Sequence, residues 1–179
     1  MRVWKIINVD RDYGTTRIII LSLIVGILAF CLCYVLVGLQ RTSTYLDDYL
    51  SFFIAGIFFI YPLHKFIHYL LLIDYTHSMK LKIRYKFNFY PLIHIKIYKL
   101  VPKYRYLLSL AAPFILLNSI FLLMTFYFPA FAHYFSIYLG IHCAMCLIDL
   151  LNVKYIIRAP HRACIEETPK GYEVLVPFQ

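Results

Sequence analysis

The chain alternates long apolar runs with short polar segments, and this alternation is the strongest pattern in the sequence. Four of the runs reach the roughly 20 residues that a helix needs to cross the hydrocarbon core of a bilayer. They cover residues 18–39, 49–73, 106–128 and 131–151. The pattern predicts an all-α integral membrane protein with four transmembrane helices, in which residues 1–179 form a single membrane domain.

Between the second and third runs, apolar and basic residues alternate one by one. Leu81 and Ile83 are separated by Lys82, and the same period of two returns after Pro91. This period is typical of strands, so a β-hairpin is predicted at about residues 80–100, with one apolar and one basic face. Two roles stay open for it: the basic face suits anionic headgroups of the bilayer, and a free strand edge suits an extended peptide.

The composition supports a membrane protein and excludes a soluble domain. Apolar residues make up 62% of the chain, aromatic residues make up 18%, and the mean hydropathy is +0.72. A soluble domain of this length has too little interior to bury that much apolar surface.

The basic residues explain the net charge of +9 and predict the orientation of the helices. Four Lys or Arg residues precede the first run, one lies between the first two, eight lie in 80–105, none separates the last two, and four follow Asn152. Basic residues concentrate on the cytoplasmic side of a membrane protein. We therefore expect a multi-pass protein of the cell membrane with both termini, the hairpin and a small tail (152–179) in the cytoplasm, and no nucleic-acid partner.

Of the five cysteines, none falls in a predicted outside loop, so we expect reduced thiols rather than disulfides. Cys143 and Cys146 form a C-x-x-C inside the fourth run. A single pair of this kind in an apolar helix is interpreted as packing of small residues rather than as a redox site.

The candidate chemistry lies in the second run, where the block His64-Lys65-Phe66-Ile67-His68 places ionisable groups inside the membrane. Histidines four residues apart share one face of a helix and can bind one divalent ion. Asp149, in the fourth run, is predicted at a similar depth, so the three side chains can converge. His142 and Cys146 share a helix face with Asp149 and are candidates for a second layer of groups around the site.

These residues resemble a known family. The histidine pair on the second helix, the basic hairpin, Ala112-Pro113 near the start of the third helix and the segment 148–152 are similar to small bacterial membrane proteins of a zincin-peptidase family of unknown function. More distantly, they resemble site-2-protease-type intramembrane zinc metallopeptidases. The resemblance implies that His64, His68 and Asp149 bind zinc.

Lys65 departs from the pattern of these peptidases. It occupies the position of the glutamate that takes a proton from the metal-bound water in an H-E-x-x-H motif. An ammonium ion cannot accept a proton, and it opposes a cation nearby. A Lys65–Asp149 ion pair in place of the metal is therefore a second hypothesis for this site.

The expected function is a degenerate, non-catalytic zincin-like protein that binds or regulates a membrane protein or peptide. Two alternatives remain open. One is a zinc-dependent intramembrane metallopeptidase with an unconventional base. The other is a metal-ion carrier or haem-binding protein that uses His64, His68 and His142.

Overall fold

The computed structural model describes residues 1–40, 45–86, 90–97, 100–168 and 171–178. Long helices dominate these residues, and short strands flank them. The helices are α1 (Val9–Tyr13), α2 (Thr15–Gln40), α3 (Leu50–Leu71), α4 (Lys103–Tyr127) and α5 (Ala132–Ile156), with short 3-10 helices at Ile73–Ser78 and Pro129–Phe131. The strands are β1 (Arg2–Ile7), β2 (Met79–Lys86), β3 (Tyr90–Ile97), β4 (Val101–Pro102), β5 (Cys164–Thr168) and β6 (Gly171–Val176).

The four predicted spans are confirmed as helices that are long and apolar enough to cross a membrane. The outer faces of these helices are apolar, as are the faces with which they contact one another. On the outer faces, Leu32 is 67% exposed and Phe59 is 71% exposed. In water such faces would leave large apolar areas unburied, whereas lipid tails solvate them. The fold is therefore that of a membrane protein.

Helix α4 begins before its predicted apolar run, and α5 continues past the end of its run. The length of an apolar run reflects the thickness of the hydrocarbon core, whereas a helix can continue beyond that core. Helix α4 begins at Lys103, and α5 continues to Ile156. The buried ammonium of Lys103 donates hydrogen bonds to the carbonyl oxygens of Ile157 (2.9 Å) and Ala159 (2.5 Å). A cation thus satisfies carbonyl groups at the C-terminal end of α5, where the helix dipole favours positive charge.

The expectation of an all-α fold is incomplete, because a four-stranded antiparallel sheet joins three distant parts of the chain. Its strand order is β1-β6-β5-β4. Strands β5 and β6 of the C-terminal tail pair with each other in antiparallel fashion, and Pro169 and Lys170 between them lie outside the described residues. Strand β1 was not predicted.

The predicted hairpin at about 80–100 is present as an antiparallel pair of β2 and β3. Met79 is the register partner of Ile97, and Lys86 is the partner of Tyr90. This pair forms a separate two-stranded sheet. Its position on the cytoplasmic membrane surface remains a prediction.

The main apolar core lies where the four-stranded sheet meets the ends of the helices. It includes Ile7, Val101, Ile156, Ile165 and Val174, each at most 1% exposed. The N-terminal strand, the segment before α4 and the C-terminal tail therefore lie at the same end of the bundle. The predicted topology, with both termini on the cytoplasmic side, remains a prediction.

Helix α5 packs between α2 and α4, and α3 packs on α4 and reaches α5. The backbones of α2 and α5 approach closely at two glycines: a Cβ added to Gly26 would lie 2.8 Å from the carbonyl oxygen of Gly140. Between α3 and α4, Ile67 is buried with Ala112 and Leu117. This packing turns one face of α3 toward α5, and the histidines lie on that face.

Candidate metal centre

The centre of the bundle contains a buried cluster of polar side chains from α3 and α5. His64 and His68 are four residues apart on α3, so both imidazoles project from the same face of that helix. Both are buried, and Asp149 of α5 is 13% exposed. The structure brings the three side chains together, as the sequence predicted.

Three atoms of this cluster form a compact triangle. The Nε2 atoms of His64 and His68 are 3.0 Å apart. Oδ2 of Asp149 lies 3.1 Å from Nε2 of His64 and 3.4 Å from Nε2 of His68. Ligand atoms of a tetrahedral zinc ion, bound at about 2.0–2.2 Å, lie roughly 3.3–3.5 Å from one another. The three atoms therefore fit the base of a zinc tetrahedron.

A hydrogen-bonded chain behind the triangle orients His64. Nδ1 of His142 lies 2.7 Å from Oδ1 of Asn118, and Nε2 of His142 lies 3.2 Å from Nδ1 of His64. Because an amide oxygen only accepts, Nδ1 of His142 is the donor, and its Nε2 keeps a lone pair. That lone pair accepts the Nδ1 proton of His64, which leaves Nε2 of His64 free to bind a metal.

Cys146 completes the buried cluster on α5. Its Sγ lies 3.4 Å from Nε2 of His142 and 3.9 Å from Nδ1 of His64. Both Cys146 and His142 are at most 1% exposed. The two residues predicted for the second layer of the site are thus placed beside His64, on the ring edge that faces away from Asp149.

The structure does not form the hypothesised ion pair between Lys65 and Asp149. Within the part of the chain that the structure describes, Asp149 pairs with His64 and His68, and Lys65 has no salt bridge. Successive residues of a helix point about 100° apart, so Lys65 leaves α3 in a different direction from His64. The histidine rings, rather than the ammonium, face the carboxylate.

The other candidate groups lie apart from this cluster. Cys143 is half-buried and belongs to neither of the donor groups found in the described residues, whereas Cys146 belongs to one of them, so the interpretation of the C-x-x-C as packing alone remains a prediction. His133 lies near the start of α5, where its Nε2 is 3.6 Å from Oδ1 of Asp47. His161 is exposed and contacts the hydroxyl of Tyr104 (2.5 Å). The side chains of His77 and His94 lie outside the described residues.

Asn118 is the one group of the site that was not predicted from the sequence. It lies on α4 within an apolar run, and an isolated amide in such a run is a sign of a buried hydrogen bond. Its partner could not be identified from the sequence, because that requires the packing of α4 against α5.

The fold and the site together define a class: a four-helix membrane protein with a buried His-His-Asp group of zinc-site geometry. A family model described as "Putative zincin peptidase" matches residues 57–164, which is more than half of the chain. The chain belongs to this family, and the resemblance noted in the sequence is confirmed. The matched segment contains His64, His68 and Asp149. No match was found among curated proteins or among solved structures.

Proposed function

We propose that this protein is a zinc-binding but non-hydrolytic member of its family, which acts by binding a membrane segment or an extended peptide of another protein. The observation that carries the proposal is the triangle of His64 Nε2, His68 Nε2 and Asp149 Oδ2, with sides of 3.0–3.4 Å. No residue has to move far to place these three atoms around one ion.

The donor set fits zinc in chemistry as well as in distance. Two imidazoles and one carboxylate are typical of zinc sites that keep a fourth position open. When bound, zinc would act as a Lewis acid toward a group in that open position. His64 would contribute its Nε2 lone pair, since its Nδ1 proton is held by His142.

The residue at position 65 argues against hydrolysis. Hydrolysis at such a site needs a base that accepts a proton beside the metal. Lys65 cannot do so as an ammonium ion. Asp149 is the carboxylate grouped with the histidines among the described residues, and it is already used as a ligand. The site can therefore bind zinc without having a base next to it.

Backbone groups at the edge of the small sheet support a binding role. Strands β2 and β3 pair with each other as a two-stranded sheet in the described residues. The outer edge of each strand thus carries backbone N–H and C=O groups that can pair with an added strand. An extended peptide from a partner could bind there by strand addition.

The test measures zinc content and peptide cleavage in the same preparations. The protein is purified in mild detergent without a histidine tag or chelator, and zinc per chain is determined by elemental analysis. Cleavage is followed on a fluorogenic transmembrane peptide. We expect about one zinc ion and no cleavage for the wild type, loss of zinc in His64→Ala, and full zinc in the matched control His133→Ala, whose histidine lies outside the cluster.

The Lys65→Glu variant separates the alternatives. It is expected to keep zinc and to gain zinc-dependent cleavage, because a carboxylate then stands in the base position. Zinc-dependent cleavage by the wild type would overturn the non-hydrolytic proposal in favour of a peptidase with an unconventional base. A wild type without zinc would overturn the zinc site itself.

A metal-ion carrier is a second candidate, and the position of His142 favours it. The cluster continues from the triangle through His64 to His142 and Cys146, so donor atoms lie on both sides of the His64 ring. A carrier would transport zinc into liposomes that contain the purified protein and an internal zinc dye. Absence of zinc uptake above empty liposomes would exclude this candidate.

A further inference from the structure

A second group of donor atoms lies on the opposite edge of His64 from Asp149. It consists of Nδ1 of His64, Nε2 of His142 and Sγ of Cys146. The two nitrogens are 3.2 Å apart, and the sulfur lies 3.4 Å from His142 Nε2 and 3.9 Å from His64 Nδ1. All three side chains are buried, at 3% exposure or less.

These distances fit a tetrahedral ion that is bound by sulfur and nitrogen. With zinc–nitrogen bonds of about 2.0–2.1 Å and zinc–sulfur bonds of about 2.3 Å, two nitrogens lie roughly 3.3 Å apart, and a nitrogen and a sulfur lie roughly 3.6 Å apart. We propose that His64, His142 and Cys146 form a second metal position, with a preference for thiolate-binding ions such as zinc and cobalt(II).

The hydrogen bonds around His64 allow either position to be used. If the Nδ1 proton of His64 points to His142, Nε2 is free for the first position. If the proton is instead on Nε2, it points to Oδ2 of Asp149 at 3.1 Å, and Nδ1 is free for the second position. A neutral imidazole has one free lone pair, so a single ion occupies one position at a time.

Asn118 keeps the second position available in both states. Its Oδ1 accepts the Nδ1 proton of His142 at 2.7 Å, so Nε2 of His142 always presents a lone pair. Cys146 becomes the third ligand when an ion binds, because a cysteine that binds a metal loses its thiol proton. His64 is therefore a ligand common to both positions: the first also contains the carboxylate of Asp149, and the second also contains the thiol of Cys146.

The second position uses neither His68 nor Asp149, so it goes beyond the proposed function and can be tested separately from it. Cobalt(II) is the probe, because a cobalt–thiolate bond gives a strong near-ultraviolet charge-transfer absorption that nitrogen and oxygen ligands do not give. The full-length protein in detergent is titrated with cobalt(II) as the wild type and as Asp149→Asn. The latter variant removes the carboxylate of the first position and should move the ion to the second.

We expect the charge-transfer band in Asp149→Asn and its loss when Cys146→Ser is added to that variant. The matched control adds Cys143→Ser, one turn earlier on α5, to Asp149→Asn and should keep the band. Absence of the band from both the wild type and Asp149→Asn would overturn the proposal, as would a band that survives Cys146→Ser. If Cys146→Ser does not fold, X-ray absorption of zinc-loaded Asp149→Asn decides: one sulfur neighbour supports the second position, and a sulfur-free shell overturns it. The first position is tested separately by X-ray absorption of the zinc-loaded wild type, where a shell of nitrogen and oxygen without sulfur is expected.

Discussion

Asn118 and His142 are joined by a hydrogen bond of 2.7 Å between two transmembrane helices, from Nδ1 of the imidazole to Oδ1 of the amide. This contact fixes which nitrogen of His142 carries the proton. Through the Nε2 lone pair of His142 it also provides an acceptor for the Nδ1 proton of His64, one of the three groups that face the zinc position. A residue on α4 that lies outside the His-His-Asp triangle therefore influences metal binding.

The first prediction concerns this chain of hydrogen bonds. Asn118→Leu removes the acceptor, so both tautomers of His142 become accessible and His64 is no longer held with Nε2 free. Loss of such outer groups typically weakens metal binding about 10–100-fold. Zinc affinity measured by competition with a chelating dye should fall by this factor, while Ser119→Leu, at the adjacent exposed position, should not change it. Equal affinities for the two variants would contradict the orienting role of Asn118.

A second prediction concerns removal of the metal. An ion that binds only the folded state stabilises that state by about 2.7 kcal/mol when its free concentration is 100 times its dissociation constant. Chelation should therefore lower the thermal unfolding midpoint in detergent, and added zinc should restore it. In His64→Ala the chelator should have no effect, since this imidazole belongs to both groups of donor atoms. A chelator effect of equal size in both proteins would place the stabilising ion elsewhere.

The crossing of α2 and α5 gives a third prediction. A Cβ on Gly140 would lie 2.8 Å from the carbonyl oxygen of Gly26 and 2.9 Å from Cβ of Phe30, so Gly140→Ala must push the helices apart. The cost of such overpacking is about 1–3 kcal/mol. In the control Gly38→Ala, on helix α2, the added Cβ meets nothing within 4 Å. Thermal unfolding should show a loss for Gly140→Ala and none for Gly38→Ala.

The buried Lys103 gives a fourth prediction. Lys103→Met preserves the length of the side chain but leaves two carbonyl groups at the end of α5 without their charged donor. Hydrogen bonds to charged groups contribute about 1.5–3 kcal/mol, so the free energy of unfolding should decrease by an amount of this order. Lys154→Met, which removes an exposed ammonium bonded to Tyr13, should change it by less than about 0.5 kcal/mol. Equal effects of the two substitutions would argue against a capping role.

The sequence was most informative where a feature is local. The spacing of His64 and His68 along one helix is enough to place both on one face, and the depth of Asp149 in its apolar run is enough to bring it near them. The hairpin of β2 and β3 was predictable for the same reason, because the alternating patterns of its two strands lie close together in the sequence. These predictions needed helix and strand geometry but no knowledge of packing.

Features that depend on packing between distant segments were not predictable in this way. Strand β1 has no alternation of its own, and five of its six residues are exposed; its partner β6 lies beyond all four helices in the sequence. The hypothesised Lys65–Asp149 pair was wrong because depth alone does not say which face of α3 meets α5. The partner of Asn118 could be found only from the packed helices.

The pairing of β1 with β6 also sets an order of events during synthesis. Residues of β1 leave the ribosome before the four long helices, yet the strand with which they pair is made only after α2, α3, α4 and α5. The sheet that closes this end of the bundle therefore cannot assemble until all four helices have been translated. During that interval β1 lacks its partner strand, so completion of this end follows the synthesis of all four helices.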